Sequence, residues 1–119
     1  MRVRCIDNIA DRVRRVSEYW ITPGESYVVL TISVDPDRPI ELRVLADDGR
    51  VGLVDSRLFV TVCGKIPSNW IAVVDDRGIL TLAPRKWTRD GFWEDYYNGV
   101  SEAWEDFESE KATIVSEAG

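Results

Sequence analysis

The sequence predicts a mainly β protein of the α+β class: a small, partly open antiparallel barrel of five or six strands, with a C-terminal helix packed on it. Three observations carry that prediction. Short segments of alternating apolar and polar residues follow one another up to Pro84, joined by tight turns rich in Asp and Gly. After Pro84 the apolar spacing changes to steps of three and four residues. The chain has 119 residues, a length that fits one domain with a core of its own. We therefore expect a single domain over residues 1–119, with the barrel in 1–84 and a helical segment in 85–119.

The first element is Arg2–Ile6, where charged and apolar residues alternate as in a strand. In residues 7–20, Ile9, Val13, Val16 and Trp20 stand three and four apart, which fits an ordered loop or one or two helical turns. Pro23-Gly24 signals a turn. Beyond it Tyr27, Val29, Thr31 and Ser33 alternate with Val28, Leu30, Ile32 and Val34, a strand with one strongly apolar face. Residues 35–39 form a loop. Residues 40–54 read as a hairpin whose Asp48-Gly49 supplies the positive φ of its turn. A turn at Asp55-Ser56 leads into a strand ending near Cys63, and residues 69–84 form a second hairpin around Asp75–Gly78.

In the last segment Asp90 is placed to cap a helix. Trp93, Tyr97, Val100, Trp104, Phe107 and Lys111 then form one helical stripe, widened by Tyr96 and Ala103. Asp95, Glu102 and Asp106 lie on the far side, flanked by Glu94 and Glu105. The aromatic residues are expected to face the barrel and the acids to face away. Asn98-Gly99 interrupts the stripe, because Gly costs about 1 kcal/mol inside a helix, and Ser101 is placed to cap a second helix. One long helix and two short ones both fit.

The composition excludes several chemistries. There is no His, so His-based triads, His proton shuttles and most catalytic zinc sites are out. Cys5 and Cys63 have no partner base and no metal-ligand spacing, and they read as two small buried apolar residues. The Asp75-Asp76 and Asp47-Asp48 pairs lack the alternating ligands and distal Glu of a calcium loop, and read as turn residues. No stretch approaches the ~20 apolar residues of a membrane span. The N-terminal residues have no apolar core of signal-peptide length. These readings lead to a non-enzymatic cytoplasmic protein that needs no cofactor or metal and has no membrane partner.

Charge is unevenly placed. The net charge is −6. Residues 1–89 hold 14 basic and 12 acidic side chains, whereas residues 90–119 hold nine acidic side chains and one Lys. Such an acidic end disfavours nucleic acid, whose phosphates need cations, and favours a basic protein.

The runs ITPGESYVVLTI and LADDGRVGLVDSRLFV resemble Src-homology-3-like barrels. The resemblance rests on Ile21, Gly24, Glu25, Tyr27 and Val29, then Asp48, Gly49, Gly52, Leu53, Val54, Leu58 and Phe59. It covers about half the chain and implies a small barrel. The pattern departs from the signalling modules of that family, which carry Trp at or near the Leu53 position and Pro where this chain has Asp55, so it does not imply a proline-rich ligand. The aromatic, acidic remainder is similar to small bacterial immunity proteins of toxin and contact-dependent growth-inhibition systems, which bind a cognate toxin.

Together these readings lead to a protein-binding module, in its specific form an immunity protein neutralising a basic bacterial toxin. The expected contact residues are Trp87, Trp93, Glu94, Asp95, Glu102, Glu105 and Asp106, with Trp87 or Trp93 as the anchor and the acids as the source of the field. Two alternatives are a nucleic-acid-associated or regulatory barrel and a phage or prophage assembly component. The first would use Arg2, Arg4, Arg12, Arg14 and Arg15 with Tyr19 and Trp20 as stacking platforms.

Overall fold

The computed structural model describes residues 1–6 and 21–119. The reading of residues 7–20 as a loop or short helix, and with it the cluster of Arg12, Arg14, Arg15, Tyr19 and Trp20, lies outside the described residues. The strands are β1 (Arg2–Cys5), β2 (Ser26–Val34), β3 (Glu41–Leu45), β4 (Val51–Asp55), β5 (Phe59–Cys63), β6 (Trp70–Val74) and β7 (Leu80–Pro84). Two helices follow, α1 (Phe92–Tyr97) and α2 (Ser101–Glu117). Short 3-10 turns at Ser56–Leu58 and Arg85–Trp87 lead into β5 and towards α1.

All strand pairs are antiparallel, and β2 organises them. One of its edges pairs with β3. The other is shared end to end, with Ser26–Val28 pairing with β1 and Ile32–Val34 pairing with β7. The order is β4-β3-β2-β1-β5, with the β7-β6 hairpin branching from β2. The sheet curls without closing. The sequence led us to expect five or six strands; the described residues form seven, as the single strands β1, β2 and β5 and both strands of each hairpin are all formed.

The turns follow their residues. Gly49 sits at φ +80 at the tip of the β3–β4 hairpin, a conformation that L side chains avoid. Asp55 accepts from the Arg57 backbone N–H at 2.8 Å and holds the Arg57 guanidinium at 2.7 Å, which keeps its carboxyl below the usual carboxylate range. Tyr27 is buried edge-on to Phe59, and its hydroxyl donates to Asp47 at 2.7 Å. Asp47 also accepts from the Thr22 hydroxyl at 2.7 Å, so the entry to β2 is fixed to the hairpin tip.

The single apolar face expected for β2 is a correction. Tyr27, Val28, Val29, Leu30 and Thr31 are all buried. β2 is the central strand of the curled sheet and α2 packs against it, so consecutive residues lose water on both faces. Cys5 is buried and Cys63 half-buried, and no disulfide joins them.

The helical segment splits at Gly99, which sits at φ +76. Neither expected cap is used: the residue preceding α1 is Gly91, with no side-chain cap bond, and the residue preceding α2 is Val100. After the break α2 buries Ala103, Phe107 and Ile114. Its last turns are tied to the loop before β6. Asn69 Nδ2 donates to the Glu110 carbonyl at 3.1 Å and to its carboxylate at 2.8 Å. Glu117 accepts from the Ser68 N–H at 2.7 Å and from its hydroxyl at 2.5 Å. These bonds favour the charged form and hold the Glu117 carboxyl below its ordinary value of 4.5. A depressed carboxylate contributes above its unfolded value and loses that contribution as pH falls through its folded value. The tether is therefore expected to release as pH drops below 4.5. The Ser68 amide shift, followed by NMR through acid titration, should move with it, and Glu117→Gln should remove that step.

Candidate functional site

The helical pair is built around an aromatic cluster. Trp87 stacks on Phe107 at 5.1 Å and on Phe92 at 6.2 Å between ring centroids, and Tyr96 lies 4.5 Å from Phe107. Trp87 is 2% exposed, and its indole N–H donates to the Asp106 carbonyl at 3.2 Å. It is a core residue joining sheet to helices, so the sequence-based expectation that it anchors a partner is corrected. Trp93 is half-buried, edge-on to Trp87 at 5.6 Å, with the Arg43 guanidinium 4.2 Å from its ring centre.

Arg43 projects from the helix-facing side of β3. Burial lowers its pKa, against Tyr97 and Glu41, which raise it. Its Nε is buried without a hydrogen-bond partner. A cavity of about 300 Å³ opens beside it, lined by Ser33, Thr81, Thr88, Arg89, Asp90 and Trp93 among others.

The acids divide into two groups. Asp95 pairs with Arg89 at 2.9 Å, Asp106 with Lys86 at 3.8 Å, and Glu108 with Lys111 at 3.0 Å. Glu94, Glu102 and Glu105 are exposed and make no ion pair among the described residues. The expected acidic surface is therefore narrower than the sequence count suggests. Half-buried and paired, Asp106 contributes less field than Glu102 or Glu105.

The aromatic residues that reach solvent are others. Tyr97 is 60% exposed and Trp104 45% exposed, although the stripe places both against the barrel. Trp104 stacks on Tyr96 at 5.1 Å, and its indole N–H donates to the Tyr96 carbonyl at 2.9 Å. With Leu53, which is 41% exposed, they border an apolar cleft of about 530 Å³ between the β3–β4 hairpin and the two helices. Val51, Gly52, Ala46 and Arg50 complete its wall. Glu105 is the sequence neighbour of Trp104 on α2, while Trp87 is not part of the cleft wall. In α1 the buried residues are Phe92 and Tyr96 and in α2 they are Ala103, Phe107 and Ile114, which leaves Tyr97 and Trp104 one position off the buried faces.

Among the described residues no group of His, Cys, Asp and Glu side chains is placed to hold a metal ion, and no helix is long and apolar enough to cross a membrane. The chain matches no protein-family model, no curated protein and no solved structure.

Proposed function

We propose that the chain is a non-enzymatic binding module that holds a basic protein against its C-terminal helices, and in its specific form a cytoplasmic immunity protein neutralising a cationic bacterial toxin. One observation carries the reading: among the described residues Glu94, Glu102 and Glu105 are exposed and make no ion pair, on the elements that also expose Tyr97 and Trp104. Unpaired acids give a field that steers a cation-rich protein. Exposed aromatics supply the contact that holds it once it arrives. Nuclease toxins act on an anionic substrate and are cationic for that reason, so an acidic inhibitor covers the surface they need.

The Src-homology-3-like character of the barrel belongs to the same proposal. It is supported by Asp48-Gly49 at a hairpin tip, by buried Tyr27 at the start of the long β2, and by Leu58-Phe59 closing a 3-10 turn.

The test is a growth assay. The open reading frame immediately upstream is expressed in a laboratory bacterium, with and without this protein. Killing by the neighbour and rescue by this chain is the expected result. A neighbour that is harmless alone removes the toxin reading and leaves the nucleic-acid and assembly readings to be tested in its place.

A further inference from the structure

We infer that β4 is a docking edge, at which an extended basic segment of the partner adds a strand to the sheet and seats an apolar side chain in the cleft between Leu53, Tyr97 and Trp104. This rests on the protein-binding reading above and names the contact it would use.

The backbone supplies the first argument. Among the described residues β4 pairs with β3 alone, in the register Leu45↔Val51, Val44↔Gly52 and Arg43↔Leu53. The Ala46 N–H donates to the Arg50 carbonyl at 2.9 Å, and at the far end the Ser56 N–H donates to the Ile40 carbonyl at 2.8 Å. In an antiparallel ladder bonded and non-bonded pairs alternate. Both end pairs therefore set the same phase: Gly52 and Val54 bond to β3, while the N–H and C=O of Val51 and Leu53 point outward. The strand reads Val-Gly-Leu-Val-Asp; its one charge, Asp55, stands at its end and is paired with Arg57 at 2.7 Å, and it carries no Lys or Pro, which natural sheets use to block an open edge.

The second argument is coincidence in space. Val51, Gly52 and Leu53 are three consecutive residues of this edge, and all three line the aromatic cleft. A segment added to β4 would place alternate side chains on the cleft side of the sheet. The other edge strands lack this. β6 reaches only the polar cavity beside Arg89 and Asp90, and β5 borders neither hollow.

Charge decides the chemistry of the occupant. Glu105 adjoins Trp104 in sequence and makes no ion pair among the described residues, while Glu108, one helical turn beyond Trp104, is paired with Lys111 at 3.0 Å. At the hairpin end, Asp47 accepts from the hydroxyls of Thr22 and Tyr27. Arg50 is the cation in the cleft wall, and it leans to Asp48 at 3.6 Å. An extended segment alternating apolar residues with Lys or Arg meets both features.

The probe is a synthetic peptide of about eight residues, the length of a short strand, alternating Val and Lys. Its controls alternate Val with Glu, alternate Ser with Lys, or carry N-methyl groups on the amides of one edge. Hydrogen exchange and amide shifts of the intact protein are read by NMR. On binding the Val-Lys peptide, the Val51 and Leu53 amides are expected to gain protection, and Trp104→Ala and the N-methylated peptide are each expected to weaken binding by about tenfold, or 1.4 kcal/mol. Leu53→Pro removes an outward N–H without touching the bonds to β3, and should do the same if it folds. Unchanged exchange at Val51 and Leu53 under saturating peptide overturns the inference. So does equal binding of the Ser-Lys peptide, or protection of the edge that grows with protein concentration alone, since a second copy then occupies it. If the peptide shifts Glu102 and Glu105 but not β4, the acidic-surface reading survives and the edge does not. If it perturbs nothing, the edge fails, and the growth assay alone decides the acidic-surface reading.

Discussion

Replacing Phe107 by alanine is expected to lower the free energy of unfolding by about 3–5 kcal/mol, the cost of deleting a buried aromatic ring. Phe107 is 2% exposed and touches all parts of the helical layer at once. It stacks on Trp87 at 5.1 Å, meets Tyr96 at 4.5 Å and Trp93 at 6.1 Å, and carries the Lys111 ammonium 5.5 Å from its ring centre. Rigid rings do not collapse into the space a lost ring leaves, so most of the cavity would persist. A domain of this size has a total stability of about 5–15 kcal/mol, so the variant would sit near its unfolding threshold. Urea unfolding followed by tryptophan fluorescence gives the number. Val115→Ala, on the exposed side of the same helix, should stay within about 0.5 kcal/mol of the parent. A loss below about 1 kcal/mol at Phe107 would mean that the sheet stands without the helical layer.

The strands were readable in the sequence because local chemistry decides them. Asp48-Gly49 and Asp75–Gly78 sit at hairpin tips, and the alternation on either side gives β3, β4, β6 and β7 within a residue or two. Exposure was less readable, since it depends on what lies above a strand or helix. Nothing local marks Val28 and Val29 as buried on opposite faces of β2. Trp87 stands among Arg85, Lys86 and Arg89, a setting that suits a surface anchor, yet the 3-10 turn at Arg85–Trp87 directs its ring into the core. The largest departure is in the helical segment. Gly99 at φ +76 separates two helices, and packing sets the buried face of each, Phe92 and Tyr96 in α1 and Ala103, Phe107 and Ile114 in α2, with Tyr97 and Trp104 beside those faces at the surface. The acids show a similar limit. A count finds nine after residue 89, but only geometry separates Asp95 and Asp106, which have cations, from Glu102 and Glu105, which have none among the described residues.

That separation fixes where charge reversal should act. Glu102→Lys together with Glu105→Lys is expected to slow association with the toxin identified by the growth assay by about ten- to a hundredfold at low salt. Each exchange changes the charge by two, so the pair takes the net charge from −6 to about −2 and reverses the field beside the exposed aromatics. Steering acts on encounter, so the dissociation rate should change far less than the association rate. The effect should fade as salt shortens the Debye length to about 8 Å near physiological ionic strength. Both side chains are exposed and make no ion pair among the described residues, so the fold should keep its stability within about 1 kcal/mol, the scale of a charge change in the first turn of α2, where Glu102 stands. The same exchange at Asp106 would act differently, because Asp106 is half-buried beside Lys86. It would oppose a cation within the molecule and confuse a structural cost with a binding one. Stopped-flow association measured across a salt series distinguishes the cases. A rate and salt slope matching the parent would make the acidic helix a solvated cover for the sheet, and the recognition would then rest on the aromatic cleft alone.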